Sequence, residues 1–361
     1  MFKVADYLTQ IQHTGSAFPD HAVLRPLDTR GDGSALASLG KLAGALGRIA
    51  TGRLSGNLVG VHVNMAERLS LFRKAVVVVF TRAIGLPVVL HLHAAQLHHF
   101  YARLALPLQW LVRWAFSKAT RVVVLGSAAQ RFVVNDLRVP AQRVSIVING
   151  VPQPAVSRRV EGAPGVSSRL LFLGNLSERK GVSDLIAAIA KARVFQTGAA
   201  EAIFAGNGDI AAYTLKARHA GVAGRVTFAG WADQAKAASF MANADVLVLP
   251  SYDEGLPLVI LEALAHGVAV ICTPVGEIPH ALAGGKEALF VAPGNIDALA
   301  GAIDAVLENP ARRHALERAG RALYEREFSL EQFADSIAEV HRQCFGAASR
   351  RPITLLDRTA P

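Results

Sequence analysis

Two glutamates, Glu254 and Glu262, stand with seven residues between them in the stretch Pro250-Ser-Tyr-Asp-Glu-Gly-Leu-Pro-Leu-Val-Ile-Leu-Glu-Ala-Leu264. Carboxylates accept hydrogen bonds from neighbouring hydroxyls, so one of them can hold a sugar ring and the other a ribose diol. The run Asp245 to Leu249 reads as a buried parallel strand and Ser251 to Gly255 as a loop. Pro257 is placed as the first residue of a helix that stops at Gly267. A strand, a short loop and a helix N-terminus make an anion site, because unpaired amides and the helix dipole converge on one point. A diphosphate between the glutamates would lie against those backbone donors. The alternative is a pair of solvent-facing glutamates on an ordinary loop and helix.

A second candidate loop is Leu173-Gly-Asn-Leu-Ser-Glu-Arg-Lys-Gly181. Its glycine at 174 lets backbone approach a phosphate, and Lys180 brings a cation that can neutralise a leaving diphosphate. Arg179 can do the same, and Asn175 lies beside them. Ala205-Gly-Asn-Gly-Asp209 and Phe228-Ala-Gly-Trp231 repeat the pattern of a strand followed by a glycine turn, with Gly206, Gly208 and Gly230 at the turns. In the first half, four histidines (His91, His93, His98 and His99) fall within nine residues. His91 and His93 would share a strand face and His98 and His99 would not, so a shared metal ion is the weaker reading.

The elements that must position these residues alternate short apolar runs with helical segments, the mark of parallel sheets covered on both faces. Strands are expected at 58–63, 87–92, 121–125 and 144–148, then at 169–173, 200–205, 226–228, 245–249, 268–271 and 288–291. A segment rich in proline and glycine separates the two series. The expected organisation is a first domain over 1–150, a linker over 151–168, a second domain over 169–345 and a loose tail over 346–361. Two doubly wound Rossmann-like domains would face each other across a cleft, with ligands at the carboxyl ends of the strands.

Charge is uneven. Residues 1–150 carry 17 Lys or Arg against 6 acids, a balance of +11, whereas residues 151–361 carry 21 against 22, a balance of −1. The basic half suits either simple solubility or an anionic partner such as lipid headgroups or a phosphorylated acceptor. Nucleic acid is disfavoured, since no basic–aromatic interleaving accompanies the charge. Two cysteines, Cys272 and Cys344, form neither a disulfide framework nor a metal cluster, which fits a reducing cytoplasmic setting. The most apolar stretch, 75–92, is broken by Arg82 and Pro87 and reads as a buried helix and strand.

Taken in order, Gly174 to Gly181, Gly206-Asn-Gly208, Phe228 to Trp231, Glu254-Gly-Leu-Pro257 through Glu262, and Pro293-Gly294 resemble glycosyltransferase family 4, retaining enzymes of the GT-B fold. The resemblance implies a nucleotide-sugar donor, with Lys180 on the diphosphate, Glu254 and the backbone of Gly255 to Leu258 on the sugar, and Glu262 on the ribose. Phe228 to Trp231 would flank the base. Pro87 to Tyr101 resembles the acceptor-side segment of exopolysaccharide-type members, which maps a sugar-contacting role to His93. Arg73 and Lys74, and Thr29 to Gly33, also resemble that subgroup, with the two cations suited to a lipid diphosphate. Departures from the family are Asn175 where many members have Arg, Ala94 for Gly, Gln96 for Glu, and His280 for Glu beside an added Glu277. Members also begin with a strand and a Gly-Gly loop. Here Met1 to Leu8 already resembles the helix that follows, so either the true start lies upstream or the first strand is lost, and a first sheet short of one strand and open at that edge is expected.

What the resemblance implies is hexosyl transfer with retention, by front-side attack, with Glu254, His93 and Lys180 catalytic. No cofactor and no metal are expected. The partners are a nucleotide sugar (GDP-mannose or a UDP-sugar) and a saccharide or polyprenyl-diphosphate-linked acceptor, with peripheral contact to the inner face of an anionic membrane. A catalytically impaired nucleotide-sugar-binding module in a polysaccharide assembly is the alternative. An epimerase of the same fold fits the motifs less well.

Overall fold

Runs of Val, Leu and Ile become parallel strands in two separate sheets, because such runs bury both faces and need helices on each side. The computed structural model describes Val4, Tyr7, Leu8 and residues 23–29, 35–65, 69–93, 97–156, 167–346 and 353–356. The chain forms two units: residues 1–150 with 330–361, and residues 151–329.

The first unit holds β1 (Leu24–Leu27), β2 (Val61–Met65), β3 (Val88–Leu92), β4 (Arg121–Val124), β5 (Val144–Ile146) and a strand from the chain's other end, β12 (Ile353–Leu356). Their order is β1-β12-β2-β3-β4-β5, and every pairing is parallel. Every residue of β2 and β3 is buried. Helices α1 (Ala35–Leu54), α2 (Leu69–Ala83), α3 (Leu97–Ala102), α4 (Leu106–Lys118) and α5 (Ser127–Asn135) belong to this unit. Ile49, Val63, Leu90, Phe116 and Val122 lie at the centre of its core.

In the second unit β6 (Ser168–Leu173), β7 (Ala200–Ala205), β8 (Val226–Gly230), β9 (Val246–Leu249), β10 (Ala269–Cys272) and β11 (Leu289–Phe290) form a sheet of order β11-β10-β9-β6-β7-β8. Its pairings are also all parallel. Helices α6 (Val182–Lys191), α7 (Ile210–His219), α8 (Gln234–Ala242), α9 (Leu258–His266), α10 (Ile296–Leu307) and α11 (Pro310–Leu323) connect or cover these strands.

Three expectations from the sequence are corrected. Residues 330–345, expected in the second domain, form helix α12 (Leu330–Phe345) of the first unit. The buried face of α12 carries Phe333 and His341, whose rings meet His91 and His62 of the first sheet. The tail expected to be loose over 346–361 contains β12, which pairs with β1 on one side and β2 on the other. For the same reason the first sheet has no open place beside β2: Thr354, Leu355 and Leu356 fill it in register with Val61, His62 and Val63. Before β1, the described Val4, Tyr7 and Leu8 are helical and buried. Linker residues 157–166, and Arg30 to Gly33, Ala94 and Gln96, lie outside the described residues.

Candidate active site

Neighbouring strands β6 and β9 lie at the middle of the second sheet, yet the chain leaves β6 toward β7 and β8, and leaves β9 toward β10 and β11. Loops departing from such a pair diverge and open a crevice at the carboxyl ends, the usual place for a ligand in this architecture. The loops that follow β6 and β9 are the two that carry Lys180 and Glu254.

Backbone geometry draws these loops together. Gly181, at φ 68°, ends the helical turn of Glu178–Lys180 and starts α6, and a Cβ there would be driven into the carbonyl oxygen of Pro250. Only glycine permits both the left-handed conformation and the approach. The Tyr252 N–H donates to the Arg179 carbonyl at 2.8 Å. As a result Nζ of Lys180 donates to Oε1 of Glu254 at 2.5 Å, with 14% and 8% of the two side chains exposed. Nη1 of Arg179 donates to the Asp253 carbonyl at 2.6 Å and lies 4.0 Å from Oε2 of Glu254. Both cations expected to meet a diphosphate therefore gather around one sugar-binding candidate.

The glycine turns are laced to the same edge of the sheet. Gly174 N–H donates to Ala205 O at 2.9 Å, Leu176 N–H to Asn207 O at 2.7 Å, and Gly206 N–H to Gly230 O at 2.7 Å. Gly208 lies against Leu176 in a parallel bridge, and Asn175 is exposed beside them. Gly174, Gly206, Gly208 and Gly230 are thus brought together at the carboxyl ends of β6, β7 and β8.

Behind the Glu254 loop, Glu277 N–H donates to Gly255 O at 3.1 Å. Leu256 is buried and Gly255, Pro257 and Leu258 are half-buried. Pro257, expected as the first helical residue, is instead the cap before α9, with φ −67° and ψ 127°. Its extended ψ turns the chain into a helix that begins at Leu258. Gly267 ends α9 in the left-handed conformation, φ 66° and ψ 35°. Glu262 lies in the second turn of α9 and is half-buried. Helix α9 begins directly after the loop that holds Glu254, so the positive end of its dipole lies at that loop.

In the first unit, His93 directly follows β3, and its N–H donates to Met65 O at 2.9 Å. Its Nε2 lies 2.9 Å from Oδ1 of Asn64. An amide oxygen only accepts, so Nε2 carries the proton and Nδ1 keeps its lone pair. Behind it runs a buried chain of imidazoles: His91 Nδ1 is 3.3 Å from His62 Nε2, and His62 Nδ1 is 2.8 Å from His341 Nε2. Burial lowers His62 to about 4 and holds His91 and His93 well below the usual histidine range, so all three are neutral near pH 7. His98 and His99 lie apart, exposed on α3. Among the described residues no group of three or more His, Cys, Asp or Glu is arranged to hold a metal ion. Lys74 is fully buried in α2 and Arg73 half-buried, so neither side chain stands free on the surface.

Sequence reasoning passed over Asn64 and Tyr252. Asn64 had a signal: Val61-His-Val-Asn-Met65 puts two polar residues on one face of an otherwise apolar strand. Tyr252 had none. Its hydroxyl donates to Asp184 at 2.7 Å and sits under Gly294, facts that depend on distant loops. Cys272 is buried, which pushes its thiol up to about 12 and makes it a poor nucleophile.

Residues 167–309 match the family described as Glycosyl transferases group 1, which identifies a group 1 glycosyltransferase domain. Over 237 residues the chain is 30% identical to a glycogen synthase of Mycobacterium tuberculosis strain CDC 1551, covering 64% of this chain and 55% of that protein. Over 250 residues it is 29% identical to a phosphatidyl-myo-inositol mannosyltransferase of the same strain, covering 67% and 64% respectively. The chain thus spans less than two thirds of either relative. The crystal structure of Anabaena Alr3699/HepE in complex with UDP superposes with a TM-score of 0.69 at 19% identity, covering 85% of this chain and 84% of that one. That likeness establishes the fold, GT-B.

Proposed function

We propose that this protein is a retaining glycosyltransferase that moves a hexosyl group from a nucleoside diphosphate sugar to a saccharide or polyprenyl-linked acceptor in polysaccharide biosynthesis. One observation carries the reading: Lys180 and Glu254 meet at the switch point of a group 1 glycosyltransferase domain, beside the N-terminus of α9. When a donor enters, its diphosphate takes Lys180 and Arg179, and the freed Glu254 carboxylate accepts from sugar hydroxyls. Glu262 accepts from the ribose, and the turns at Gly174, Gly206, Gly208 and Gly230 let the nucleotide approach the backbone. As the bond to the leaving phosphate breaks, Lys180 and the first amides of α9 stabilise the growing negative charge. A metal is not required for that task. His93, neutral and with Nδ1 available, accepts from a hydroxyl of the transferred sugar.

The bound nucleotide in the Anabaena protein is UDP, and one mycobacterial relative is named a mannosyltransferase, so a UDP-sugar and GDP-mannose are both proposed as donors. The acceptor is proposed to lie at an anionic membrane surface, in keeping with the basic first unit. Calorimetric titration with UDP and GDP, followed by transfer assays with the sugar of the preferred nucleotide, tests the reading. Product of inverted anomeric configuration would refute retention.

A second reading, a binding module with impaired turnover, draws on one observation: Asn175 is exposed and uncharged in the phosphate-facing loop, which weakens the charge available to the leaving group. Nucleotide binding with neither transfer nor donor hydrolysis would select it.

A further inference from the structure

Helix α4 (Leu106–Lys118) is apolar on both faces. Its inner face, with Val112, Ala115 and Phe116, is buried. Its outer face carries Pro107, Trp110, Leu111 and Trp114 at helical spacings of three and four, so they form one stripe. That stripe is open to solvent: Leu106 just before it is 79% exposed and Trp110 65%. Trp110 stacks on Trp114 with planes 12° apart, and Lys118 Nζ lies 5.3 Å above the Trp114 ring. A helix with two apolar faces, parted here by Gln109, Arg113 and Ser117, is normally covered on both of them, and an exposed aromatic ridge marks a contact surface.

Charge says what covers it. From Arg68 to Asn135 the sequence carries nine Lys or Arg and no Asp or Glu, and Arg103 and Lys118 are exposed at the two ends of the stripe. A second copy would bring the same positive charge against itself. A bilayer surface rich in anionic phospholipid supplies both an apolar layer for the ridge and the opposite charge for its flanks. Tryptophan is suited to that boundary, with an apolar body and one N–H donor for the headgroup level. Among the described residues no helix is long and apolar enough to cross a membrane, so α4 would lie in the plane of the interface.

We propose that the outer face of α4 docks the protein on anionic phospholipid, with Trp110, Leu111 and Trp114 entering the interface and Arg103 and Lys118 meeting phosphates. This deepens the membrane-facing part of the function proposed above. Docking is measured without donor or turnover, so its failure would leave the transfer reaction standing.

The test is flotation of the purified full chain with vesicles of phosphatidylcholine alone or with half phosphatidylglycerol. Expected are binding only to the anionic vesicles, weakening as salt rises, and a drop of at least about tenfold in Trp110→Ser/Leu111→Ser. The charge variant Arg103→Glu/Lys118→Glu should lose about fivefold or more per residue. Leu215→Ser, at a half-exposed leucine of the second unit, should bind as wild type does. Thermal unfolding of each variant establishes that it is folded. No affinity for anionic vesicles, or equal affinity in folded Trp110→Ser/Leu111→Ser, overturns the proposal. So does self-association or binding to an acidic protein that this variant abolishes while vesicle binding is absent.

Discussion

Nζ of Lys180 and Oε1 of Glu254 are 2.5 Å apart although 74 residues separate them in the chain. Each is mostly buried, so each charge depends on the other for what water no longer supplies. The pair is therefore structural until a ligand divides it. In the proposed reaction phosphate oxygens would compete for the ammonium and leave the carboxylate to sugar hydroxyls.

Glu254→Gln keeps the size of the side chain and an oxygen for Lys180 but loses the charge. Turnover is expected to fall about 10²-fold or more, in line with removal of one electrostatic partner from a transition state. Nucleotide binding should change by only a few-fold. Steady-state rates beside calorimetry make the comparison, and an unchanged rate removes Glu254 from the mechanism.

Lys180→Met leaves Glu254 buried without its nearest cation. A stability loss of about 3 kcal/mol is expected in the second unit. In Lys180→Met/Glu254→Gln neither charge remains, and much of the loss should return. Denaturant unfolding of both single variants and the double variant reads the coupling. Additive losses would show that the pair is not a unit.

Acid should weaken the first unit. His62 titrates near 6.5 in an unfolded chain and at about 4 when folded, because burial disfavours the imidazolium. Between these values the unfolded state binds a proton that the native state does not, so stability rises with pH across the window. It is complete above about 6.5 and is lost as pH falls toward 4, by roughly 3 kcal/mol for this residue. His62→Phe should flatten the pH dependence of the urea midpoint between 7 and 5. A slope unchanged by the substitution would place the titration elsewhere.

Proline at Thr354 tests the strand at the far end of the chain. β12 has a neighbour on each side, and proline removes an amide from the ladder and is tolerated mainly at sheet edges. Thr354→Pro removes a ladder hydrogen bond and should cost about 1–3 kcal/mol in the first unit and leave the second unchanged. Hydrogen exchange of the β1 and β2 amides would report it. Native protection of β2 in the variant would show that the tail strand is dispensable.

Much of the second unit was legible because its signals are local. Leu170 to Leu173 and Val246 to Leu249 are short apolar runs ended by glycine or proline, and such runs declare buried strands without knowledge of their neighbours. Gly181 and Gly267 mark left-handed positions that few other residues tolerate. The first unit was harder to read. Leu24-Arg-Pro-Leu27 and Ile353-Thr-Leu-Leu356 are four residues each, too short for a period and flanked by charge or proline. Helix α12 showed its apolar face but not which sheet it covers, since that face could pack on either.

From the amino-acid order alone came the alternation of strand and helix, the glycine turns at the strand ends and the identity of the acid and the cation set beside them. Tertiary structure decided that β6 and β9 are neighbours, that Lys180 grips Glu254, that His62 meets His341 across 279 residues, and that the tail supplies an inner strand of the first sheet. Periodicity and turn chemistry are properties of consecutive residues. The order of parallel strands and the partner of a buried charge are settled by which distant surfaces exclude water together, and no local stretch of sequence contains that choice.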